Sequence, residues 1–394
     1  MLRELAIACY LAVFKVVFTL LKIIPQKSKV SLVISFEENA INLLQQLQNH
    51  YNSLEIIILY KTKVSEEFKQ EINARLIPFE NNSIRDWVAS LFHLATSRVI
   101  IVDNYYGFLS VVNFKKNVEC IQIWHAAGAL KTFGLQDHSI INRSSAAKRR
   151  FQQVYDQFDR IVIGSEEMGE IFSESFNVPM QRMLRSGIPR TDLFYEENNK
   201  QTITASFFKK YPMLSGKKLI LYAPTYRDGQ LDNNEIHLDI KKMQQALQND
   251  YRLLIKLHPA VKTTNHYEEQ YPNFVVDFSS FKRVNELLLV ADYLITDYSS
   301  LPFEYALLTK PMIFFPYDLE YYRVERGLIL NYEMVVPGPV VQDTDQLIEV
   351  MTANQFDYQS IREFSDRWNR YSTGSSAENL VHYIQKRLNA SQKV

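Results

Sequence analysis

Short apolar runs alternate with amphipathic stretches along nearly the whole chain. An apolar run ended by polar or small residues predicts a buried strand, and an amphipathic stretch predicts a helix. Repetition of these two elements is typical of a doubly wound α/β fold with a mostly parallel sheet. The predicted strands are Val30 to Phe36, Glu55 to Tyr60, Leu76 to Phe79, Arg98 to Asp103, Cys120 to Trp124, Arg160 to Gly164, Met183 to Ser186, Lys218 to Ala223, Arg252 to Leu257, Phe274 to Phe278, Leu294 to Ile295 and Met312 to Phe315.

The alternation restarts after a polar stretch, Tyr195 to about Lys210, and we place the domain boundary there. A chain of 394 residues is long enough for two domains that each have a core. We expect a membrane-associating helix at 1–26, a Rossmann-like domain at 27–200 and a second at 201–394. Two such domains imply a cleft between them, where ligands commonly bind.

The segment from Leu5 to Ile24 is almost wholly apolar. Its length would span a bilayer, but Lys15 would then lie near the middle at a cost of roughly 2.5 to 3.5 kcal/mol. A helix at the membrane surface would let Lys15 and Lys22 reach the headgroups, and a helix packed on the protein itself is the third possibility. With Lys27 and Lys29 following, the basic flank favours the cytoplasmic side of a cell membrane.

Composition limits the possible partners. Lysine plus arginine equals aspartate plus glutamate at 44 each, so net charge indicates no nucleic-acid partner, and any site for a polyanion must be local. Cys9 and Cys120 are the only cysteines. They indicate neither a disulfide framework nor a cysteine metal site, and a reducing cytoplasm fits.

The stretch from Ala291 to Asp318 has the pattern of a strand, a hydroxyl-rich turn, a helix and a second strand. Asp297 lies in the turn, Ser299 and Ser300 stand where the helix begins, and Glu304 lies near its first turn. Ligands of parallel sheets collect at the carboxyl ends of strands, and hydroxyls beside free backbone N–H groups suit a phosphate. The alternative is that Ser299 only caps the helix.

A histidine follows the predicted strand that ends at Trp124. Small residues come after His125, so an approaching ligand would meet little side-chain bulk. Imidazole can accept a hydroxyl proton near neutral pH, and Lys131 can offset phosphate charge. The other interpretation is a packed, hydrogen-bonded histidine at a strand end.

Two further strand ends carry groups that suit a phosphate. Thr225 offers a hydroxyl and Arg227 a fork of donors, although Arg227 and Asp228 could simply form a solvated turn. His258 could donate to a phosphate oxygen, with Pro259 fixing the backbone after it. It too could be structural.

These strand ends converge on one edge of the predicted fold, which favours a shared active site. The sequence contains no G-x-G-x-x-G, no P-loop and no paired-histidine zinc motif. The remaining histidines lack comparable neighbours and are interpreted as surface or core residues: His50, His93, His138, His237, His266 and His382.

In this order and spacing, the clusters resemble the CDP-glycerol glycerophosphotransferase family of wall teichoic acid synthesis. The resemblance covers about Arg98 to Tyr322 and implies a glycosyltransferase-B-like fold of two Rossmann-like domains. The matching segments are WHAAGALKTFG at Trp124 to Gly134, IGSEEMGEIFSESFNV at Ile163 to Val178, SGIPRTDLF at Ser186 to Phe194, YAPTYRDG at Tyr222 to Gly229, KLHP at Lys256 to Pro259 and ITDYSSLPFEYALLTKPMIFFPYDLEYY at Ile295 to Tyr322.

The resemblance also implies roles. His125 resembles the base that deprotonates the acceptor hydroxyl, which then attacks the β-phosphorus of CDP-glycerol and displaces CMP. His258 resembles the histidine that contacts the donor phosphates. The residues expected to bind substrate are Lys131, Arg190, Thr225, Arg227, Pro259, Asp297, Ser299, Ser300 and Glu304. No metal or other cofactor is expected.

The implied partners are CDP-glycerol, an undecaprenyl-diphosphate-linked saccharide acceptor and the membrane surface, with a homo-oligomer possible. Polymerases of this family tend to have threonine and proline after WHG, whereas Ala126, Ala127 and Gly128 stand here. This difference and the lack of a long N-terminal extension favour a primase-like or short-chain enzyme. Two alternatives stay open: transfer of ribitol phosphate from CDP-ribitol, and a non-catalytic membrane-bound nucleotide-binding protein.

Overall fold

A computed structural model describes residues 2–51, 54–227, 236–258, 261 and 266–390. The chain forms two compact units. Unit 1 consists of the N-terminal part up to His125, Phe133–Asp192 and the part from Tyr371 to the C-terminus, and unit 2 consists of Ala126–Thr132 and Leu193–Arg370. The chain therefore enters unit 2 twice and returns to unit 1 at its end.

Every pairing between neighbouring strands in the two sheets of the described chain is parallel, as the α/β pattern predicted. The strands of unit 1 are β1 Lys29–Ile34, β2 Glu55–Tyr60, β3 Arg75–Pro78, β4 Val99–Val102, β5 Glu119–Gln122, β6 Arg160–Val162 and β7 Met183–Leu184. Those of unit 2 are β8 Lys218–Ala223, β9 Tyr251–Ile255, β10 Val275–Asp277, β11 Tyr293–Thr296 and β12 Met312–Phe314.

Both sheets reverse their strand order at one internal point. The order is β3-β2-β1-β4-β5-β6-β7 in unit 1 and β10-β9-β8-β11-β12 in unit 2. The order reverses between β1 and β4 in the first sheet and between β8 and β11 in the second. In open α/β sheets, ligands bind outside the carboxyl ends of the strands at such a switch point.

The helices follow the strands in the expected alternation. They are α1 Leu2–Leu21, α2 Ile41–His50, α3 Glu66–Glu71, α4 Ile84–Thr96, α5 Ser145–Tyr155, α6 Glu166–Phe176, α7 Glu197–Lys210, α8 Ile240–Leu247, α9 Tyr267–Gln270, α10 Val284–Val290, α11 Leu301–Tyr305, α12 Leu319–Glu325, α13 Tyr332–Val335, α14 Thr344–Ala353, α15 Tyr358–Trp368 and α16 Ser376–Ala390. Strands buried on both faces, such as β4 with four buried residues, need helices on either side of the sheet.

The unit boundaries differ from the predicted domains at 27–200 and 201–394. The polar stretch predicted as a boundary forms α7, which belongs to unit 2. The last helix, α16, belongs to unit 1 because the Asp192 carboxylate accepts hydrogen bonds from the backbone N–H groups of Ser376 and Ala377, at 3.0 and 2.7 Å. The Asp192 carboxylate thus caps the N-terminus of α16. The pattern of polar and apolar residues in α16 does not indicate this contact.

One face of α1 packs on unit 1. Phe14 and Phe18 are 0% and 1% exposed, and the Phe14 ring lies 5.3 Å from that of Phe108. Lys29, counted in the basic flank of the sequence, is fully buried at the start of β1. Its ammonium group donates hydrogen bonds to Thr96 and to the His93 ring.

The other face of α1 is apolar and exposed. It comprises Leu5, Cys9, Ala12, Val13, Val16 and Leu20, whose spacing places them along one side of the helix. Within the described part of the chain, α1 alone is long and apolar enough to cross a membrane, over Arg3–Leu21. In this structure, however, its opposite side is covered by protein.

Candidate active site

In unit 1, Asp103 organises the switch point between β1 and β4. Its carboxylate accepts hydrogen bonds from the Ser35 and Phe36 N–H groups at 2.9 and 3.1 Å, from Asn39 at 3.0 Å and from the Tyr106 hydroxyl at 2.7 Å. The residue is 0% exposed, and burial raises the pKa of its carboxyl while these hydrogen bonds lower it. Asp103 therefore ties the loop after β1 to the end of β4.

His125 stands just past β5, the neighbour of β4. Its Nδ1 lies 3.0 Å from the backbone carbonyl oxygen of Asp103. A carbonyl only accepts hydrogen bonds, so in the neutral ring Nδ1 carries the proton and Nε2 carries the lone pair. This is the tautomer that a base acting through Nε2 requires.

Trp124 holds the other side of the imidazole. Its ring stacks on His125 with centroids 4.3 Å apart and packs against Phe133, Phe172 and Phe176. The backbone of Trp124 has φ of +54°, a left-handed conformation that costs a bulky residue on the order of 1 kcal/mol. The sharp turn and the aromatic packing together fix the direction in which His125 leaves the strand.

Arg190 supports His125 from within unit 1. The side chain is 8% exposed, and Nη1 donates to the His125 carbonyl oxygen at 2.8 Å and to Asn39 Oδ1 at 3.0 Å. Nη2 lies 3.9 Å from the Glu38 carboxylate. These contacts position the His125 backbone, and the binding of substrate by Arg190 stays a prediction.

In unit 2, Asp297 joins the ends of β8 and β11 at the second switch point. It is 1% exposed, and its Oδ1 accepts from the backbone N–H groups of Thr225 and Tyr298 at 2.8 and 2.6 Å. The Thr225 hydroxyl is buried and makes no hydrogen bond to any described residue. Asp297 and Thr225 therefore lie together, as predicted, and Asp297 fixes the two loops.

Arg227 is buried between two carboxylates. Its guanidinium lies 3.0 Å from Asp297 Oδ2 and forms a two-pronged pair with Asp318 at 2.7 and 2.8 Å. It also lies 4.9 to 5.0 Å from the ring centroids of Tyr298, Tyr317 and Tyr322. The alternative of a solvated Arg227 is wrong, because this side chain is 7% exposed. Its contacts are those of a side chain that holds the two loops together.

Ser299 and Ser300 precede α11, at the end of β11, and both are partly exposed. The Ser299 hydroxyl accepts from the Leu301 N–H at 3.3 Å, but the N-cap position of α11 is Ser300 and not Ser299. Ser300 makes no side-chain capping bond to the described helix. Glu304 is 1% exposed within α11, so the structure buries a carboxylate that was expected to bind substrate.

His258 follows β9, and its ring lies 4.6 Å from that of Tyr226. The residue is exposed, yet enough protein surrounds the ring for burial to lower its pKa, and the nearby charges of Lys131 and Lys256 lower it further. Lys131 thus lies in the electrostatic environment of His258, in the same unit. Pro259 and Asp228 lie outside the described residues.

The small residues after His125 serve packing. A Cβ atom on Gly128 would stand 2.3 to 2.5 Å from the Phe303 ring, so only glycine allows α11 to approach this segment. Ala126 and Ala127 are buried. The prediction that these residues leave room for a ligand is therefore wrong for Gly128, because the Phe303 ring occupies the space beside its Cα atom.

Sequence reasoning missed Asp103, Asn39 and Asp318. Asp103 ends a predicted strand, which is the signal that could have marked it. Asn39 and Asp318 carry no comparable pattern, because their partners Arg190 and Arg227 are 151 and 91 residues away in the chain.

The chain resembles known proteins over its whole length. It is 38% identical to the teichoic acid glycerol-phosphate primase of Bacillus subtilis (strain 168), with 98% of each chain covered. It is 36% identical to the teichoic acid ribitol-phosphate primase of Bacillus spizizenii (strain ATCC 23059 / NRRL B-14472 / W23), over 76% of this chain and 77% of that one. The solved structure of the wall teichoic acid polymerase TagF has the same fold, with a TM-score of 0.82, 23% identity and full coverage of both chains.

A family model described as CDP-Glycerol:Poly(glycerophosphate) glycerophosphotransferase matches residues 16–386. This match spans His125, the Asp103 network and the Asp297 network. The resemblance found in the sequence motifs is confirmed, and the chain belongs to the CDP-glycerol:poly(glycerophosphate) glycerophosphotransferase family.

Proposed function

We propose that this chain transfers glycerol phosphate from CDP-glycerol to a hydroxyl of a membrane lipid-linked saccharide in wall teichoic acid synthesis, releasing CMP. Family membership establishes the enzyme class, a glycerophosphotransferase of teichoic acid synthesis. The observation that carries the reaction type is the fixed tautomer of His125, whose Nδ1 lies 3.0 Å from a carbonyl oxygen beside a switch point.

His125 is proposed to act on the acceptor. Its Nε2 takes the proton of the acceptor hydroxyl as the oxygen attacks the β-phosphorus of CDP-glycerol. The oxygen–phosphorus bond to the acceptor forms while the bond to the bridging oxygen breaks, and CMP leaves with that oxygen. Asp103 and Arg190 position the imidazole through their contacts with His125. Neither residue needs to touch the substrate for this role.

The ends of β8, β9 and β11 are proposed to bind the donor diphosphate. His258, Lys131 and the hydroxyls of Ser299 and Ser300 would contact its oxygens and balance the charge that develops on CMP. Asp297 and Arg227 hold the loop that carries Ser299 and Ser300.

The exposed apolar face of α1 supports a membrane-borne acceptor. A helix that packs one face on the protein and presents Val13, Val16 and Leu20 to solvent can enter the acyl boundary of a bilayer without spanning it. Such docking on the cytoplasmic side would raise the local concentration of a lipid-linked acceptor.

Membrane docking is tested by sedimentation with anionic vesicles. We expect the wild-type chain to pellet with them and the double variant Val16→Glu, Leu20→Glu to stay in the supernatant. Ile141→Glu is the matched control, because Ile141 is an apolar residue of unit 1 that is 74% exposed and not part of α1. Equal binding by wild type and the double variant would contradict the proposal.

Ribitol phosphate transfer is the second candidate, because the chain is also 36% identical to a ribitol-phosphate primase. The two are separated by incubating purified protein with CDP-glycerol or CDP-ribitol and a disaccharide-lipid acceptor, and measuring CMP release. We expect acceptor-dependent release from CDP-glycerol. Preferential CMP release from CDP-ribitol would show that ribitol phosphate is the transferred group. If neither donor releases CMP while the protein still binds nucleotide, a non-catalytic binding protein would be favoured.

A further inference from the structure

We propose that His50, Glu378 and His382 form a binding site for a divalent transition metal of the zinc class on unit 1. The nearest ligand atoms of the three side chains, one from each, all lie within 4.8 Å of one another. Within the described part of the chain, this is the one group of histidine, cysteine and acidic side chains with such spacing. The sequence analysis interpreted both histidines as surface or core residues, because neither has comparable neighbours along the chain.

Helix geometry brings the three ligands together. Glu378 and His382 are four residues apart on α16, so they project from the same face. His50 is the last residue of α2, and the rings of His50 and His382 lie 5.4 Å apart at an interplanar angle of 72°. A cation there would also face the C-terminal end of α2, where the helix dipole favours positive charge.

The donor set determines the class of metal. Two imidazole nitrogens and one carboxylate oxygen match the ligands that Zn²⁺ prefers, and a site dominated by imidazole does not suit Mg²⁺ or Ca²⁺. Three protein ligands leave a coordination position for water. All three side chains are exposed, so the ion can reach them directly from solvent.

Metal binding would join α2 to α16. α2 begins two residues after Asn39, which accepts a hydrogen bond from Arg190. The first N–H groups of α16 bind Asp192, which lies two residues after Arg190 in the chain. An ion held by the folded arrangement and not by the unfolded chain stabilises the fold. The site therefore adds a cross-link outside the active site, with no role in the transfer step.

The test uses the untagged full-length protein, stripped with a chelator and titrated with Zn²⁺ and with Co²⁺. We expect one Zn²⁺ to bind per chain, and Co²⁺ to give the visible absorption of a nitrogen-ligated ion. His50→Ala and His382→Ala should each weaken Zn²⁺ binding at least about tenfold. Zn²⁺ should raise the melting temperature of wild type and leave that of His382→Ala unchanged.

His266→Ala is the matched control. His266 is an exposed histidine of unit 2 whose Nδ1 lies 3.7 Å from Glu269, so it has a carboxylate neighbour and no second histidine. We expect it to bind Zn²⁺ as tightly as wild type. Equal Zn²⁺ affinity of wild type and His382→Ala, or a loss of affinity as large in His266→Ala, would overturn the proposal, as would the absence of Zn²⁺ binding to wild type.

Discussion

Replacement of Arg190 by methionine separates a positioning role from substrate binding. The substitution keeps an unbranched buried side chain but removes the hydrogen bonds to the His125 carbonyl and to Asn39, at 2.8 and 3.0 Å. Hydrogen bonds from a charged group contribute about 1.5 to 3 kcal/mol each. Allowing for apolar packing by methionine, we expect the free energy of unfolding to fall by about 3 kcal/mol.

The catalytic effect follows from the freedom that His125 gains. A displacement of about 1 Å costs roughly 100-fold in rate. We therefore expect kcat of Arg190→Met to fall about 100-fold, with KM for CDP-glycerol unchanged. The assay is CMP release under saturating acceptor, combined with urea unfolding of the same preparations.

A double variant gives the decisive comparison. If Arg190 acts only through His125, then His125→Ala combined with Arg190→Met should be no slower than His125→Ala alone. Arg182→Met is the control, because Arg182 likewise donates two hydrogen bonds within unit 1. Its acceptors are the backbone carbonyl oxygens of Asp156 and Phe158, both at 3.0 Å. A raised KM for CDP-glycerol, or rate losses that multiply in the double variant, would refute the positioning role.

Three further predictions concern buried or partly buried charges. Lys131→Gln should raise the pKa of His258, because the substitution removes one of the positive charges that lower this pKa. An NMR titration of the histidines measures the shift, and an unchanged pKa of His258 would contradict the prediction. Burial lowers the pKa of His93 to about 4, so the unfolded chain takes up the proton first as the pH falls. This histidine should therefore cost wild type about 1.5 kcal/mol of stability between pH 6.5 and pH 5. In urea titrations the stability of His93→Gln should fall less over this range, and parallel curves for the two proteins would refute this. Arg227→Met leaves Asp297 and Asp318 without their shared cation and should destabilise the fold by about 3 to 5 kcal/mol in thermal or urea unfolding, whereas a loss under 1 kcal/mol would contradict it.

The strands could be predicted because buried strands consist of apolar runs that are visible in the sequence. The predicted bounds of Glu55–Tyr60 and Lys218–Ala223 match β2 and β8. In parallel sheets covered on both faces, a strand needs a continuous apolar run, and such runs are visible without tertiary information. α7 was missed because only Phe207 of its residues is buried, so it carries no apolar stripe.

The side-chain partners of the candidate site could not be predicted. Arg227 was expected to bind phosphate because arginine suits phosphate, but its carboxylate partner Asp318 is 91 residues away, after β12. Arg190 is bound by Asn39 in the same way from 151 residues away. Local sequence gives the type of a side chain and its place at a strand end, whereas the fold decides which groups it meets. The substrate-binding roles of all the residues named from the sequence, Arg190 and Arg227 included, stay predictions.

The most direct test of the account is turnover and donor binding by His125→Ala. A general base contributes about 10² to 10⁴ in rate. With CDP-glycerol and a disaccharide-lipid acceptor, we predict that the variant binds CDP-glycerol as tightly as wild type while acceptor-dependent CMP release falls by at least about 100-fold. Release at the wild-type rate would contradict the assignment of His125 as the base that activates the acceptor.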